Sequence, residues 1–272
     1  MYIYNITNMS SKLNNNTPRR IYNIKIDEED DRDIMFKAEK LKVDNIILPD
    51  TFSLRDLMPI ILNQGSLGSC GPVQISNNIR YCLKKLRFGE FQPSRLYLYY
   101  FTRLAEGSDI KEDTGISIRG GLKAIQKYGA CSENNWGYDI TKFTERPNNE
   151  CVSAGKTHIP GFRYIRVQQS LVNIKQAIFG GFPILIGIKL YTSFESNSVT
   201  QTGIVPMPNI QKEACLGGHA VSIIAYDDKT QRFTCSNTWG SNWADKGYFT
   251  LPYDYILDAS LSSDFWIITY FK

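Results

Sequence analysis

The chain has 272 residues, of which 42% are hydrophobic and 21% are charged, and its formal net charge is +4. This length and composition are those of an ordinary globular protein with a substantial core. The small positive surplus, without basic residues interleaved with aromatic ones, argues against a nucleic-acid-binding protein. Apolar stretches are all too short to span a bilayer, so no membrane partner is predicted.

The first part of the chain differs in composition from the rest. It is rich in asparagine and carries an acidic cluster at residues 27–31. Its start lacks the basic residues and continuous apolar core of a secretory signal. Apolar residues at helical spacing predict a short helix over Asp33–Leu41. From Leu48 onward, we expect a compact domain.

Six cysteines are scattered along the chain without a CxxC pair, which argues against a structural zinc site, and no other cofactor is predicted. Because no secretory signal is visible, mostly reduced thiols in a cytosolic or other reducing compartment are expected, although an exported chain could form disulfides. Cys82, Cys131 and Cys235 are interpreted as inert core thiols. The roles of Cys151 and Cys215 are left open.

Three helices are predicted in the first half of the chain. The clearest is Cys70–Leu86, where apolar residues form one stripe and Pro72 fits the first turn. The others are Pro93–Leu104 and Ser117–Tyr128, the second of which ends at Gly129.

The second half reads as short strands, β-branched or aromatic, separated by turn residues. Helices followed by strands indicate an α+β fold rather than a parallel βαβ sheet. A helical lobe against a β-rich lobe leaves a cleft, which is a common kind of binding site. The predicted strands are Pro183–Leu190, His219–Tyr226, Arg232–Asn237, Gly247–Leu251 and Asp264–Phe271.

Cys70 is the candidate nucleophile. It stands at a predicted helix start, where free N–H groups and the helix dipole stabilise a thiolate. The chain has only two histidines as candidate bases. His219 follows two glycines and opens an apolar strand, whereas His158 lies in a polar connection and is expected to face solvent. A lone histidine is more often structural, so His219 is a candidate only as the partner of the cysteine.

Three motifs in chain order resemble those of papain and the cathepsins. They are Gln-Gly-Ser-Leu-Gly-Ser-Cys at 64–70, Gly-His-Ala-Val at 218–221 and Asn-Thr-Trp-Gly at 237–240. Together they identify the chain as similar to papain-like cysteine peptidases over residues 48–253. The resemblance implies a two-lobe α+β fold and hydrolysis of protein or peptide substrates.

The resemblance also implies a role for each matching residue. The Cys70 thiolate would form a thioester, and His219 would act as acid and base. Asn237 would orient the imidazole. The Gln64 amide would join the Cys70 N–H in an oxyanion hole. Trp239 would shield the pair of Asn and His from water, although core packing explains it equally well.

Two glycines are further candidates for substrate binding. The resemblance points to Gly115 and Gly218, although a plain turn explains Gly115 equally well. The paired histidines that make cathepsin B a dipeptidase are missing, so an endopeptidase is expected.

The chain departs from the family pattern at three positions. Gly71 replaces the aromatic residue that usually follows the nucleophile. Leu67 stands where the family has a cysteine, so that disulfide cannot form, which favours a reducing compartment. Gly218 replaces the usual Asp or Asn before the histidine.

Residues 1–47 are interpreted as an N-terminal extension and 48–272 as the peptidase domain, with a helical lobe at about 60–155 and a β-rich lobe at about 156–272. The extension is either a pro-segment that blocks the cleft of a zymogen or a permanent tail. A zymogen would be shortened at mildly acidic pH.

Two rival functions stay open. One is a catalytically inactive papain-like module that binds proteins or peptides. The other is another thiol acyltransferase, such as a transglutaminase or deubiquitinase. Those folds usually place Asp third in the triad and lack the Asn-Thr-Trp-Gly motif.

Overall fold

The computed structural model describes residues 20–41, 46–155 and 161–270. Three long helices in the first half precede most of a large antiparallel sheet. The predicted α+β class is confirmed.

The three predicted helices are present, and their ends agree with the prediction within two residues. They are α1 (Cys70–Lys85), α2 (Arg95–Ala105) and α3 (Ile118–Tyr128). The hydroxyls of Ser94 and Ser117 accept backbone N–H bonds at the starts of α2 and α3, as N-caps do. Four shorter helices were not predicted: α4 (Asn149–Gly155), α5 (Leu171–Phe179), α6 (Asn197–Thr202) and α7 (Tyr253–Leu257).

Within the described residues, seven antiparallel strands form one sheet in the order β2-β7-β3-β4-β5-β6, and β1 pairs with β4. All five predicted strands are present, whereas the short β1 and β2 were missed. The strands are β1 (Thr51–Ser53), β2 (Phe162–Arg166), β3 (Ile184–Tyr191), β4 (Cys215–Asp227), β5 (Arg232–Ser236), β6 (Tyr248–Pro252) and β7 (Ser262–Tyr270).

Helix α1 meets the sheet through buried polar side chains. Gln74 donates through Nε2 to the carbonyl of Ser236 at 2.6 Å. Ser222 of β4 donates to Oδ1 of Asn78 at 3.0 Å. A buried polar group without a partner is costly, so these bonds fix how α1 lies on the strands. They hold Cys70, the first residue of α1, against β4.

The predicted helix over Asp33–Leu41 is wrong except for a 3₁₀ turn at Ala38–Leu41. The residues before it are extended beside β2. The Phe36 N–H donates to the Arg166 carbonyl at 2.7 Å, and the Arg166 N–H donates to the Ile34 carbonyl at 2.8 Å. The unpaired edge of β2 offers these backbone partners, and they outweigh a weak helical pattern.

Cys131 and Cys151 form a disulfide, with Cα atoms 5.4 Å apart. The interpretation of Cys131 as an inert thiol is therefore wrong. A backbone bond from Ala130 to Gly155 at 3.0 Å brings the end of α3 beside α4, and this proximity cannot be read from the sequence. Cys82 and Cys235 are buried free thiols, as predicted.

The loop between α2 and α3 is held by the fully buried side chain of Arg103. Its guanidinium donates to the carbonyls of Ile110 at 2.9 Å and Glu112 at 2.7 Å, and also to the carbonyl of Phe143. This loop continues to Gly115, so a buried cation fixes one wall of the predicted cleft.

Arg103→Leu removes the donors for these three carbonyls. We expect it to lower the free energy of unfolding by about 3 kcal/mol, because hydrogen bonds to a charged group are strong and three of them are lost together. Urea unfolding measures the change. The exposed Arg146→Leu serves as the matched control and should stay within about 0.5 kcal/mol of the wild type. Equal losses for both variants would contradict the buried role of Arg103.

Candidate active site

Cys70 is the first residue of α1 and is fully buried. Its Sγ accepts a hydrogen bond from the N–H of Ala220 at 3.4 Å. Ala220 follows His219 in β4, so the sulfur contacts the backbone next to the predicted base. The Gly71 N–H and the residue's own N–H also favour the thiolate, as expected at a helix start.

His219 is fully buried and contacts Asn237. Its Nε2 lies 2.8 Å from Oδ1 of Asn237. The same oxygen accepts the N–H of Thr238 at 2.8 Å, which identifies it as the amide oxygen and makes Nε2 the protonated nitrogen. Nδ1 has no partner among the described residues and is free to exchange a proton.

An indole covers this contact. The ring of Trp239 lies 5.3 Å from the ring of His219 and is only 5% exposed. Water is therefore kept from the side of the imidazole that faces Asn237. A dry hydrogen bond is electrostatically stronger than a solvated one, so the indole stabilises the orientation of the ring.

The Gln64 side chain is buried and held at both ends of its amide. Nε2 donates to the carbonyl of Leu67 at 2.9 Å, and Oε1 accepts the hydroxyl of Thr238. An amide nitrogen carries two hydrogens, so one stays available for a developing oxyanion. Gln64 thus belongs to the same buried cluster as the cysteine and the histidine.

Residues 20–25 of the N-terminal part lie over the site. The ring of Tyr22 stands edge-on to His219 with centroids 5.8 Å apart. The guanidinium of Arg20 lies 3.9 Å from the centre of the Trp239 ring. Arg20 and Tyr22 both contact Glu195, which fixes this cover at one end of the cleft. The sequence suggests residues 1–47 as a possible pro-segment over the cleft, but it does not single out Arg20 or Tyr22.

Both predicted substrate-binding glycines contact this covering segment. A Cβ on Gly115 would lie 2.0 Å from the carbonyl oxygen of Asn23, so only glycine allows the approach. The Gly218 carbonyl accepts the N–H of Ile24 at 3.1 Å. Gly115 and Gly218 therefore lie on opposite sides of the same two residues, as the walls of a cleft would.

Gly71, the departure from the family pattern next to the nucleophile, has a visible consequence. A Cβ there would meet Cδ1 of Ile24 at 3.0 Å and Cγ1 of Ile116 at 2.9 Å. A larger side chain would therefore displace Ile24. The missing aromatic ring makes room for an aliphatic side chain beside Cys70.

The covered site disfavours charge. Burial raises the pKa of Cys70 to about 11, although the neighbouring N–H groups lower it. Burial also lowers the pKa of His219 to about 4, against the effect of Asn237. The covered pair is therefore a neutral thiol and a neutral imidazole. The thiolate predicted from the helix start is not the favoured form while the segment lies over it.

Within the described ranges, no cluster of three or more His, Cys, Asp or Glu side chains could hold a metal ion. In those ranges, too, every helix is too short or too polar to cross a membrane.

Comparison with known proteins decides the family. The sequence profile of the papain family cysteine proteases matches residues 113–263, a span that includes His219 and Asn237. An uncharacterized peptidase C1-like protein of Acanthamoeba polyphaga mimivirus is 36% identical over 262 residues, covering 88% of this chain and 83% of that protein. The chain belongs to the papain family of cysteine peptidases. The predicted family and enzyme class are confirmed.

Solved structures agree. Xylellain, a cysteine protease from Xylella fastidiosa, is 30% identical with a TM-score of 0.83, covering 94% of this chain and 98% of its own. Procathepsin L 3 of Tenebrio molitor is 15% identical with a TM-score of 0.66, and the match covers 93% of this chain and 76% of that chain. A procathepsin B of Trypanosoma congolense is 14% identical with a TM-score of 0.71, and the match covers 92% of this chain and 86% of that chain. The last two show the fold alone, and the two-lobe prediction is confirmed.

His158 lies outside the described residues, so its predicted exposure stays a prediction. Sequence reasoning missed Ala220 as a donor to the sulfur and Tyr138, whose hydroxyl donates to the Gln64 carbonyl at 2.8 Å. The first could have been found from its position next to the histidine. The second contact joins distant parts of the chain and leaves no sequence signal.

The exposed Cys215 and the buried Cys70 should differ in thiol reactivity. In the full chain at pH 8, we expect iodoacetamide to modify Cys215 within minutes and to leave Cys70 unmodified, because burial raises its pKa and blocks access. Peptide mapping by mass spectrometry measures both sites in one sample. Faster labelling of Cys70 than of Cys215 would show that the cover does not protect the site.

Proposed function

We propose that this peptidase hydrolyses peptide bonds through Cys70, His219 and Asn237. The observation that carries the proposal is the 3.4 Å bond to Cys70 Sγ from the N–H of Ala220, the residue after His219, whose Nε2 is in turn bonded to Asn237 while Nδ1 has no partner among the described residues. A thiol, an oriented imidazole and an amide within one buried cluster are the groups that acyl transfer requires.

In this mechanism, the thiol proton of Cys70 passes to Nδ1 of His219, and Sγ attacks the scissile carbonyl carbon. The tetrahedral intermediate collapses to a thioester as the imidazolium gives its proton to the leaving amine. Water then attacks the thioester while His219 accepts a proton, and the acid product leaves with the thiol restored. Asn237 keeps the ring in place throughout.

The oxyanion would be stabilised by the Cys70 N–H and the second Nε2 hydrogen of Gln64. One such donor lowers the barrier by roughly 3–4 kcal/mol. The amide of Gln64 is held before substrate arrives, by Leu67 at 2.9 Å and by the Thr238 hydroxyl. Preorganised donors of this kind need no reorientation during the reaction.

Cys70→Ala should abolish hydrolysis of a fluorogenic peptide library and labelling by an epoxysuccinyl inhibitor, because the proposed nucleophile is lost. Asn237→Ala should lower kcat by at least about tenfold, because the imidazole loses its orienting acceptor. Cys215→Ala is the matched thiol control and should retain wild-type activity.

These effects are measured on enzyme from which the N-terminal segment over the site has been removed. Initial rates report hydrolysis, and intact mass reports labelling by the inhibitor. Labelling of Cys70 without cleavage of any peptide would instead favour the inactive binding module or another acyl transfer.

We infer an endopeptidase, since the sequence holds no paired histidines at the cleft and His158 is the one histidine besides the base. We also propose that the protein is made as a zymogen. The support is the cover of residues 20–25, which lies between Gly115 and Gly218 where a substrate would bind; together with Ile26 it is here called the plug.

The residues after the plug, here called the anchor (27–38), are part of the fold. The Asp27 carboxylate accepts Nε1 of Trp266 at 2.7 Å and the N–H of Arg119 at 3.0 Å. Arg119 also pairs with Asp33, and Phe36 is buried. Activation would therefore require loss of the plug alone, with a cut before the anchor.

The anchor has a defined pH response. Burial, followed by the charge of Asp264, raises the pKa of Asp27 to about 6. A carboxyl whose pKa is higher in the folded chain than in the unfolded chain stabilises the folded form more when it is protonated. This contact therefore contributes most below its ordinary pKa and is lost as the pH rises through about 6. Mild acid does not loosen this contact, so any shortening in acid must depend on other groups.

Ile24→Ala should weaken the plug, because the Ile24 side chain lies against Gly71 and Gly218. We expect the initial hydrolysis rate of the unshortened chain to rise about tenfold, as for loss of a packed aliphatic group. Ile26→Ala, on the same segment but 65% exposed, is the matched control and should change little.

Rates are measured at pH 5 and pH 7, with gel analysis to confirm that the chain is intact. A wild-type chain that is fully active without shortening would reject the zymogen.

A further inference from the structure

The loop before the nucleophile contains one peptide group that is held at both ends. The carbonyl of Leu67 accepts Nε2 of Gln64 at 2.9 Å. The N–H of the same peptide group, on Gly68, donates to Oδ2 of Asp113 at 2.8 Å. Because a peptide group is planar and rigid, fixing its N–H also fixes the direction of its carbonyl.

Asp113 is itself fixed by α2, another helix of the same lobe. Its Oδ1 accepts the hydroxyl of Tyr99, a fully buried residue of α2. The same hydroxyl accepts the N–H of Gly115 at 3.1 Å. The carboxylate thus joins the nucleophile loop to the wall of the cleft that Gly115 forms, and Arg103 holds that wall to the core.

From this chain of contacts, we propose that Asp113 is a positioning residue for the reaction. Its carboxylate fixes the peptide group between Leu67 and Gly68, and that peptide group sets the direction of the Gln64 amide toward the oxyanion. The proposal rests on the proposed function of Gln64 as an oxyanion donor. It adds a residue of the loop between α2 and α3 whose carboxylate accepts bonds from Gly68 and Tyr99 rather than from the thiol or the substrate.

The carboxylate form matters for two reasons. A bond from a backbone N–H to a charged acceptor is roughly twice as strong as one to a neutral acceptor. In addition, only an acceptor-only group can take both the Gly68 N–H and the Tyr99 hydroxyl without a competing donor. An asparagine at this position keeps the shape but brings an NH₂ group that faces one of these two donors.

A double-mutant cycle on the shortened enzyme tests the proposal. We expect Gln64→Ala to lower kcat by about 10²-fold, as for loss of one oxyanion donor. Asp113→Asn should lower kcat by about tenfold with little change in KM, because a misplaced amide stabilises the transition state less. In the Gln64→Ala background, Asp113→Asn should change kcat by less than about twofold.

The control is Glu112→Gln, which removes a neighbouring exposed carboxylate and should leave kcat unchanged. Tyr99→Phe removes one brace of Asp113 and should give a smaller loss that also disappears in the Gln64→Ala background. If Asp113→Asn fails to fold, Tyr99→Phe takes its place in the double-mutant cycle. Equal losses with and without Gln64 would overturn the proposal, because Asp113 would then act by another route.

A second measurement does not depend on activity. In amide NMR spectra of the full chain, Asp113→Asn should move the Gly68 proton upfield, and the Gln64 side-chain NH₂ should exchange faster with solvent. Unchanged Gln64 signals would reject the positioning role even if the enzyme hydrolyses no peptide. Absence of hydrolysis in the wild type, by contrast, would reject the proposed function and leave this readout to decide the contact.

Discussion

The site depends on the buried hydrogen bonds between polar side chains of α1 and the strands of the sheet. Apolar contacts alone would allow α1 to shift along the strands with little loss of free energy. The hydrogen bonds from Gln74 to Ser236 and from Ser222 to Asn78 form in only one relative position of helix and sheet. Each contributes about 1 kcal/mol net, but its loss leaves a buried group unsatisfied at about 1–3 kcal/mol. This asymmetry holds residues 150 apart in sequence, Cys70 and Ala220, in contact.

The N-terminal cover acts on the site in two ways. It occupies the cleft between Gly115 and Gly218, and it removes water from the thiol and the imidazole. Both groups favour their neutral forms when desolvated, so the covered pair lacks the charges that acyl transfer uses. Loss of the plug would restore solvent, and the N–H groups around Cys70 could then stabilise a thiolate. In the proposed zymogen, one segment would therefore control both access and ionisation.

The fold was largely predictable because its signals are local. Serine caps at Ser94 and Ser117 and the glycine at 129 mark helix ends within a few residues. The extended stretch before Ala38 and the pair of Cys131 and Cys151 were not predictable, because each depends on a partner that is distant in sequence. A free strand edge can extend a segment whose own pattern is helical.

The residues of the site also fall into two groups, those marked by a local sequence motif and those that depend on contacts between distant parts of the chain. Cys70, His219, Asn237 and Gln64 are marked by the short motifs around them. Their catalytic roles remain proposals, but the structure gathers all four. The role of Asp113 has no signal in the sequence, since its contact with Gly68 spans 45 residues and no local pattern records it. The covering role of Tyr22 likewise exists only in the folded chain.

The backbone of Asp27 gives the boundary between plug and anchor a chemical consequence. Its N–H donates to Oδ2 of Asp264 at 3.1 Å in a buried setting. A cut before Asp27 would convert this amide nitrogen into a terminal ammonium that already faces a carboxylate. The two buried acids would then share a cation that the intact chain lacks. Shortening would in this way strengthen the attachment of the new N-terminus to the rim of the cleft.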